Sequence, residues 1–574
     1  MIANEERTFD YVIVGAGPSA MGALLGLLEA STNADSPYSI AIVERGGKEA
    51  DPSTVELKDW YQAAHPRNDT QSVRSLPTSV TGRRLDLPTG QGLGGGSNIN
   101  AGIVMPPVIP EDLRPWPEPW KSSLPQALDH IWKHLDRNDM LHHQGGQDSD
   151  VNISGSTGWR VDWSVPWATL EFQTAAASNP WTRRTYYDAL IAPLLDNHPN
   201  CHIEWILHAE VQRLLFNGEP EAFSEQNPRL VRGIECCQEA RSGALTEEHV
   251  LASRAILLCA GAIESPALLL ASGIGPELHS HFQGVGRHLQ DQWLIPWVHL
   301  TSRRQPKAIL STNGMAKFGH VRGNGQLFHV AIADSVSHEP ILPSSLSMVV
   351  RRNDVPTFLL PVTEMAFQAL KIVSWLLIRY SPLGYILRHY TAMKILFLMH
   401  PHSEGHISIE PRRKDEQFYI EDKHLGKMYQ RRRDVRVKVN VGYCQDARDL
   451  EAMRQVWDNL DFTMVNGWAL DFVPKLLQRT CYWVGLDWFA GFCRSTVAPY
   501  YHFAGTCAMQ RDDQHLDWVV DPQDLQLRDH QGLHLCDASV FPSMVSSPPA
   551  LTCCALGYAF GKRLAMKNSN TLEK

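Results

Sequence analysis

Phe9-Asp10-Tyr11-Val12-Ile13-Val14-Gly15-Ala16-Gly17-Pro18-Ser19-Ala20-Met21-Gly22-Ala23-Leu24-Leu25-Gly26-Leu27-Leu28 is the stretch on which the fold turns. The apolar run 9–14 predicts a short buried strand, and the apolar spacing over 19–30 predicts a helix. A second strand is predicted over 39–43 and ends at Glu44. Strand, glycine turn, helix and strand make a βαβ unit. In its turn, Gly15, Gly17, Pro18, Ser19 and the small Ala20 match the dinucleotide fingerprint. Its glycines allow a tight turn and let a pyrophosphate approach the helix N-terminus. Glu44 lies 24 residues after Ala20, where a carboxylate can take ribose hydroxyls. That carboxylate argues against a 2′-phosphate and hence against NADP.

The chain is 574 residues long, 43% hydrophobic and 20% charged, which is too long for one simple core and predicts two interlocked domains. A formal net charge of -9 gives no concentrated positive field, so nucleic acid is not an expected partner. The local basic run Gln430-Arg431-Arg432-Arg433, with Arg436 and Lys438, has no aromatic ladder and reads as a solvated strand edge. The polar, acidic start Met1-Ile2-Ala3-Asn4-Glu5-Glu6-Arg7 shows no secretory signal, so an intracellular, cytoplasmic location is expected. Eleven cysteines, an odd number without a CxxC pair, read as buried free thiols. The glycosylation patterns at Asn68 and Asn152 then carry no weight, because that chemistry requires secretion.

Outward from the fingerprint, glycine is concentrated over 90–102, which implies backbone pressed against a ligand or another segment. The stretch 110–181 lacks periodicity and predicts long loops with short helices. Residues 202–216, 229–238 and 248–259 read as strands extending the cofactor domain. Composition shifts over 293–493 toward mixed strands and apolar helices, assigned to a substrate domain. Within it, 358–398 is the most apolar part. Glu364, Lys371, Arg379, Arg388 and Lys394 interrupt it and Pro382 breaks it, so it is not a transmembrane segment. Ala369, Leu370, Val373, Leu376, Leu377 and Tyr380 follow helical spacing. They predict a buried amphipathic helix, with an apolar substrate wall or membrane-surface contact as the alternative.

Gly90-Gln91-Gly92-Leu93-Gly94-Gly95-Gly96-Ser97-Asn98-Ile99-Asn100-Ala101-Gly102 resembles the first signature of the glucose-methanol-choline (GMC) oxidoreductase family. Ala260-Gly261-Ala262-Ile263-Glu264-Ser265-Pro266 and the residues on to Gly275 resemble its second signature. Gly286-Arg287-His288-Leu289-Gln290-Asp291, His502-Phe503-Ala504-Gly505-Thr506-Cys507 and Asp537-Ala538-Ser539-Val540-Phe541-Pro542 follow in the family's order. The resemblance implies a mixed α/β fold, a Rossmann-like FAD-binding domain interlocked with a substrate domain built on an antiparallel sheet. The implied cofactor domain is discontinuous, 8–105, 200–295 and 500–570, with 106–199 and 296–499 as the substrate domain. Cofactor contacts are implied at Gly15, Gly17, Pro18, Ser19, Ala20, Glu44, Gly94, Gly95, Ser97, Asn98, Asn100, Val211, Asp537 and Ala538.

The implied reaction is hydride transfer from an alcohol carbon to flavin N5, with His502 as the base for the hydroxyl proton. An imidazole of ordinary pKa near 6.5 suits that task near neutral pH. Two departures from the family follow. Pro548, in Ser546-Ser547-Pro548-Pro549-Ala550-Leu551-Thr552, stands where relatives carry His or Asn, and proline has neither a polar side chain nor an N–H. Asn100, Ser546 or Ser547 are the candidates to compensate. The alternative is a flavin-dependent lyase, isomerase or decarboxylase without net alcohol oxidation. Ile99 stands where covalently flavinylated relatives have histidine, so FAD is expected to be non-covalent. The expected partner is a small hydrophobic or activated alcohol. His400, His402 and His406 lack an acidic or cysteine co-ligand in the sequence, so no metal is expected there. No nucleophile elbow or P-loop is present.

Overall fold

The computed structural model describes residues 5–31, 37–48, 70–77, 80, 84–137, 141–143, 159–162, 166–173, 181–197, 201–217, 229–239, 245–276, 282–301, 315–323, 326–333, 373, 376–377, 380–411, 419–422, 427–430, 435–459, 469–471, 487–510 and 517–572. The opening unit forms as β1 (Glu5–Val14), α1 (Pro18–Ser31) and β2 (Tyr38–Val43). β1 and β2 are parallel, in register from Tyr11↔Ile40 to Val14↔Val43. Tyr11 to Val14 are buried on both sides of the sheet, which is why the run is continuously apolar rather than alternating.

Helix α2 (Trp120–Arg137) corrects the expectation of loops and short helices over 110–181. It buries Trp120, Leu124, Leu128, Ile131 and Leu135 at helical spacing, a pattern diluted in sequence by the polar residues between them. These side chains join the core of the first sheet.

β3 (Cys201–Ile206), β4 (Ala209–Phe216), β5 (Arg229–Glu239) and β6 (Leu245–Leu258) complete the main part of an eight-stranded sheet. Its order is β3-β2-β1-β6-β5-β4, parallel from β3 to β6 and antiparallel across β5 and β4. The single strand expected over 202–216 is two. His208 takes a φ of 55°, and the turn there sends β3 to one edge of the sheet and β4 to the other. Leu533–Leu535 returns to pair with β6. Helix α3 (Gly261–Ala271) follows β6 directly.

A second, seven-stranded antiparallel sheet contains β7 (Trp293–Thr301), β8 (Met315–Gly323), β9 (Gln326–Ala333) and β10 (Thr391–Leu398), ordered β7-β10-β9-β8. One face buries Trp293, Ile295, Phe328, Val330, Leu396 and Leu398 in its own core. Ile395 and Phe397, on the other face, pack with Ile103, Met105 and Trp167 near the glycine-rich segment. Helix α4 (Ala550–Leu572) closes the chain against α1. The helices approach so closely that a Cβ at Gly22 would meet the Cys554 carbonyl oxygen at 1.9 Å.

The expectation of a buried helix within 358–398 is corrected in part. Residues 358–372 lie outside the described residues. Val373, Leu376, Leu377 and Tyr380 are exposed, with Tyr380 at 70%, and the segment continues as a short helix Pro382–His389 and then β10. Of the basic run, Arg431 to Arg433 lie outside the described residues; Arg436 and Lys438 sit in a strand and pair with Glu410. Asn68 and Asn152 are also outside them. Among the described residues the cysteines are free and, apart from Cys201, buried. No helix among those residues is long and apolar enough to cross a membrane.

Candidate active site

Gly15 and Ala260 follow the carboxyl ends of the parallel strands β1 and β6, the end at which open α/β sheets bind ligands. Gly15 leaves β1 with φ 96°, and a Cβ there would meet the Cys259 carbonyl oxygen at 2.6 Å, so glycine is required. Gly17, by contrast, faces open space: a Cβ would meet no protein atom within 4 Å, and the same holds at Gly96 and Gly261. Gly95 packs its Cα region against Gly17, at 2.7 Å from a Cβ placed on it, so the two glycine-rich segments form one cradle.

Glu44 does more than the sequence reading gave it. Its buried carboxylate accepts N–H groups from Ala16 (2.9 Å), Gly46 (2.8 Å) and Gly92 (2.9 Å), tying the fingerprint turn to the second glycine segment. Val211 is buried in β4, beside Ala209, whose N–H donates to the Glu44 carbonyl (3.0 Å). Ser97 donates to the Gly94 carbonyl (2.7 Å), and Asn98 Nδ2 to that of Gln91 (2.9 Å), so both hold the loop. Asp537 accepts from Gly261 N–H (2.8 Å), the Ser265 hydroxyl (2.6 Å) and Ser539 N–H (2.8 Å). Its side chain therefore fixes the β6–α3 turn, while Ala538 lends its carbonyl to Gly505 N–H (3.0 Å). Pro18, Ser19 and Ala20 form the first turn of α1.

Among the described residues, Asn98 Oδ1, Ser547 Oγ and Thr552 Oγ1 are buried polar atoms without a hydrogen-bond partner. Buried polar atoms ordinarily find partners. Together with the open faces of Gly17, Gly96 and Gly261, they fit a long ligand bearing both a pyrophosphate and a polar ring system.

His502 lies at the seam between the two sheets. Its segment runs antiparallel to 290–294: Ala498–Pro499 pairs with β7, and Ala504 bridges Gln290. Tyr501 takes a φ of 64°, an uncommon conformation for a bulky residue. It presents His502 N–H to Asp291 Oδ1 at 2.7 Å. The other Asp291 oxygen accepts the Tyr443 hydroxyl. Burial pushes the Asp291 carboxyl up to about 7. The His502 ring packs at a tilt of 44° against Tyr500 (3.9 Å between centroids), and its Nδ1 lies 2.6 Å from Gln292 Oε1. An amide oxygen only accepts, so Nδ1 carries the proton and Nε2 keeps the lone pair. Burial lowers the imidazole pKa to about 3, leaving it neutral at physiological pH.

Gln292 also donates to the Val545 and Met399 carbonyls, joining His502 to the segment that contains Pro548. Ser546 is not free to compensate for the proline. Its N–H donates to Asp112 Oδ2 (2.9 Å), and its hydroxyl donates to Asp112 Oδ1. Asn100 Oδ1 accepts from Arg183 (3.0 Å) and Gly102 N–H (2.9 Å). His400 approaches the same segment, with Nε2 3.2 Å from Ser546 Oγ and 3.5 Å from Asp112 Oδ1. Beneath it, His320 and His329 stack as a cross-strand pair at 4.4 Å, both kept neutral by burial. His402 instead binds Asp449, through N–H (2.8 Å) and Nδ1 (3.2 Å).

Sequence reasoning missed Gln292, Asp112 and His400 in these roles. Gln292 directly follows Gly286-Arg287-His288-Leu289-Gln290-Asp291, and that adjacency was the available signal. Asp112 lies 434 residues from Ser546 and gave none.

Comparison with known proteins supplies the remaining observation. GMC oxidoreductase models match residues 9–294 and 401–557. The chain belongs to the GMC oxidoreductase family. It is thus an FAD-dependent oxidoreductase, and its mixed α/β fold is the family's. Pyridoxine 4-oxidase of Microbacterium luteolum is 24% identical over 569 residues, covering 94% of this chain and 96% of the relative. The solved pyridoxine 4-oxidase of Mesorbium loti superposes with a TM-score of 0.61 at 19% identity, covering 97% of this chain and 99% of that one. A formate oxidase structure gives 0.61 at 15% identity, covering 99% and 100%.

Proposed function

We propose that this enzyme removes a hydride from the carbon of a CH–OH group, in a hydrophobic or activated alcohol, while His502 Nε2 accepts the hydroxyl proton. The observation that carries the reading is the bond between His502 Nδ1 and Gln292 Oε1 at 2.6 Å, which leaves a neutral imidazole with one basic nitrogen. FAD, when bound, supplies the hydride acceptor. The cradle of Gly15, Gly17 and Gly95 takes its pyrophosphate, and Ile99 offers no ring nitrogen, so binding is non-covalent.

Pro548 withholds a polar side chain from the substrate oxygen, and His400, whose Nε2 is already held by Ser546 (3.2 Å) and Asp112 (3.5 Å), makes up for it only in part. Less help for a developing negative charge favours alcohols whose C–H bond is already activated by an aryl ring, an alkene or a carbonyl. The pyridoxine 4-oxidase relative, similar over 94% of this chain, makes pyridylmethanols the first compounds to try.

The test is anaerobic mixing of the FAD-loaded enzyme with benzylic, pyridylic, allylic and saturated alcohols, following flavin bleaching. Activated alcohols should bleach it fastest, and His502→Ala should slow bleaching by about 10² or more with flavin content retained. Equal rates in His502→Ala would remove the base. Product formation without bleaching would support the lyase, isomerase or decarboxylase alternative that Pro548 motivates.

A further inference from the structure

We propose that Glu29, His130 and His134 form a binding site for a divalent transition-metal ion of the zinc type, on the outer side of the cofactor layer. His130 and His134 are four residues apart on α2 and so share one face of that helix. Glu29 reaches them from the last turn of α1. Its Oε1 is 3.0 Å from His130 Nε2, and one ligand atom from each of the three residues lies within 4.8 Å of the others.

Tyr558 of α4 prepares both neighbours. Its hydroxyl donates to the other Glu29 oxygen at 2.7 Å, and its ring stacks on His130 at 4.5 Å with 10° between planes. Outer hydrogen bonds and packing of this kind orient metal ligands. All three ligand side chains are half-buried, so an ion can enter from solvent. Burial, and then the neighbouring His130, lower the His134 pKa.

The surrounding charges are mixed. Lys133 is turned to Asp129 (2.7 Å), while Lys562, 3.5 Å from the Tyr558 hydroxyl, and Arg137 oppose a cation. Two imidazoles and one carboxylate are the donor set of open zinc sites, which leave a fourth position to water. Zinc–nitrogen bonds of about 2.0–2.1 Å put neighbouring ligand atoms about 3.3 Å apart, close to the 3.0 Å that already separates His130 Nε2 from Glu29 Oε1.

α1 begins at the pyrophosphate cradle and carries Glu29 in its last turn, so a metal joining Glu29 to α2 ties down the far end of that helix. This site is separate from His400, His402 and His406.

The test uses the full-length, FAD-loaded protein titrated with Zn²⁺ by calorimetry and with Co²⁺ by visible absorption. Wild type and a control, His202→Ala, should bind one equivalent, at a Kd on the order of micromolar or tighter, with the Co²⁺ spectrum of a low-coordinate N/O site. His134→Ala and Glu29→Gln should each weaken binding at least tenfold and abolish the zinc-dependent rise in Tm, with flavin content unchanged. Glutamine keeps an acceptor for Tyr558, so that variant holds its packing. Absence of binding by wild type, or unchanged affinity in both variants, overturns the proposal.

Discussion

Gln292→Leu tests whether His502 works through a fixed tautomer. Leucine keeps most of the volume but removes the oxygen 2.6 Å from His502 Nδ1 and the N–H groups donated to Val545 and Met399. Two losses follow. Neutral imidazole then distributes its proton between both nitrogens, so a fraction of molecules present N–H instead of a lone pair to the substrate. The ring also loses its anchor, leaving Tyr500 and the Asp291 bond to the backbone to position it. Outer partners of working histidines are typically worth about 10- to 100-fold, or about 1.4–2.7 kcal/mol of barrier. Anaerobic stopped-flow bleaching by an activated alcohol should therefore fall by that factor in Gln292→Leu. Because Gln292 acts through His502, Gln292→Leu/His502→Ala should be no slower than His502→Ala alone. Fully additive losses would show that Gln292 acts on the substrate or the fold, and would refute the tautomer argument.

With burial holding its pKa to about 3, His502 should contribute no ionisation to the bleaching rate between about pH 5 and 8. An inflection near 7 belongs to Asp291 and should disappear in Asp291→Asn; one near 6.5 that survives would contradict the assignment. Gly17→Val should yield folded protein without flavin, because a Cβ there meets no protein atom within 4 Å, whereas Gly15→Val should lower Tm as well; absorbance and melting curves separate the two. His288, held by Glu404 (2.7 Å) and Asp517 (2.5 Å), has a pKa raised to about 9, so its contribution to stability is complete below about pH 6.5 and lost as pH rises through 9. His288→Asn, which tolerates the φ of 55°, should flatten the fall in Tm over that window. Acid precipitation should release FAD into the supernatant; flavin remaining with the pellet would contradict the non-covalent reading of Ile99.

The cofactor side was legible because its constraints are local. A turn that must be glycine at 15, a strand buried on both faces and a carboxylate after β2 each leave a mark within a few residues. The antiparallel substrate sheet was reached through family resemblance, since its strands pair residues such as Trp293 and Leu398 that are far apart in the chain. Helix α2 was missed because Pro125 and several polar residues mask a stripe that becomes plain once Trp120, Leu124, Leu128 and Ile131 are seen buried. The division at His208 was missed because it depends on one left-handed residue inside an apolar run.

The same distinction explains the reading of Pro548. From the sequence, the loss of a polar side chain there suggested that a serine or asparagine nearby would replace it. Ser546 is near in sequence but is committed in space, since both its N–H and its hydroxyl go to the buried Asp112. A buried carboxylate needs such donors, and Val108 N–H (2.7 Å) adds another, so Asp112 holds the segment before the proline in one conformation. That same carboxylate stands 3.5 Å from His400, a residue placed by the end of β10 in the other sheet. The polar group proposed to stand in for the one missing at 548 is thus a side chain whose position is fixed through a residue in the first third of the chain. A contact assembled from three distant segments, Asp112, His400 and Ser546, is visible only after folding.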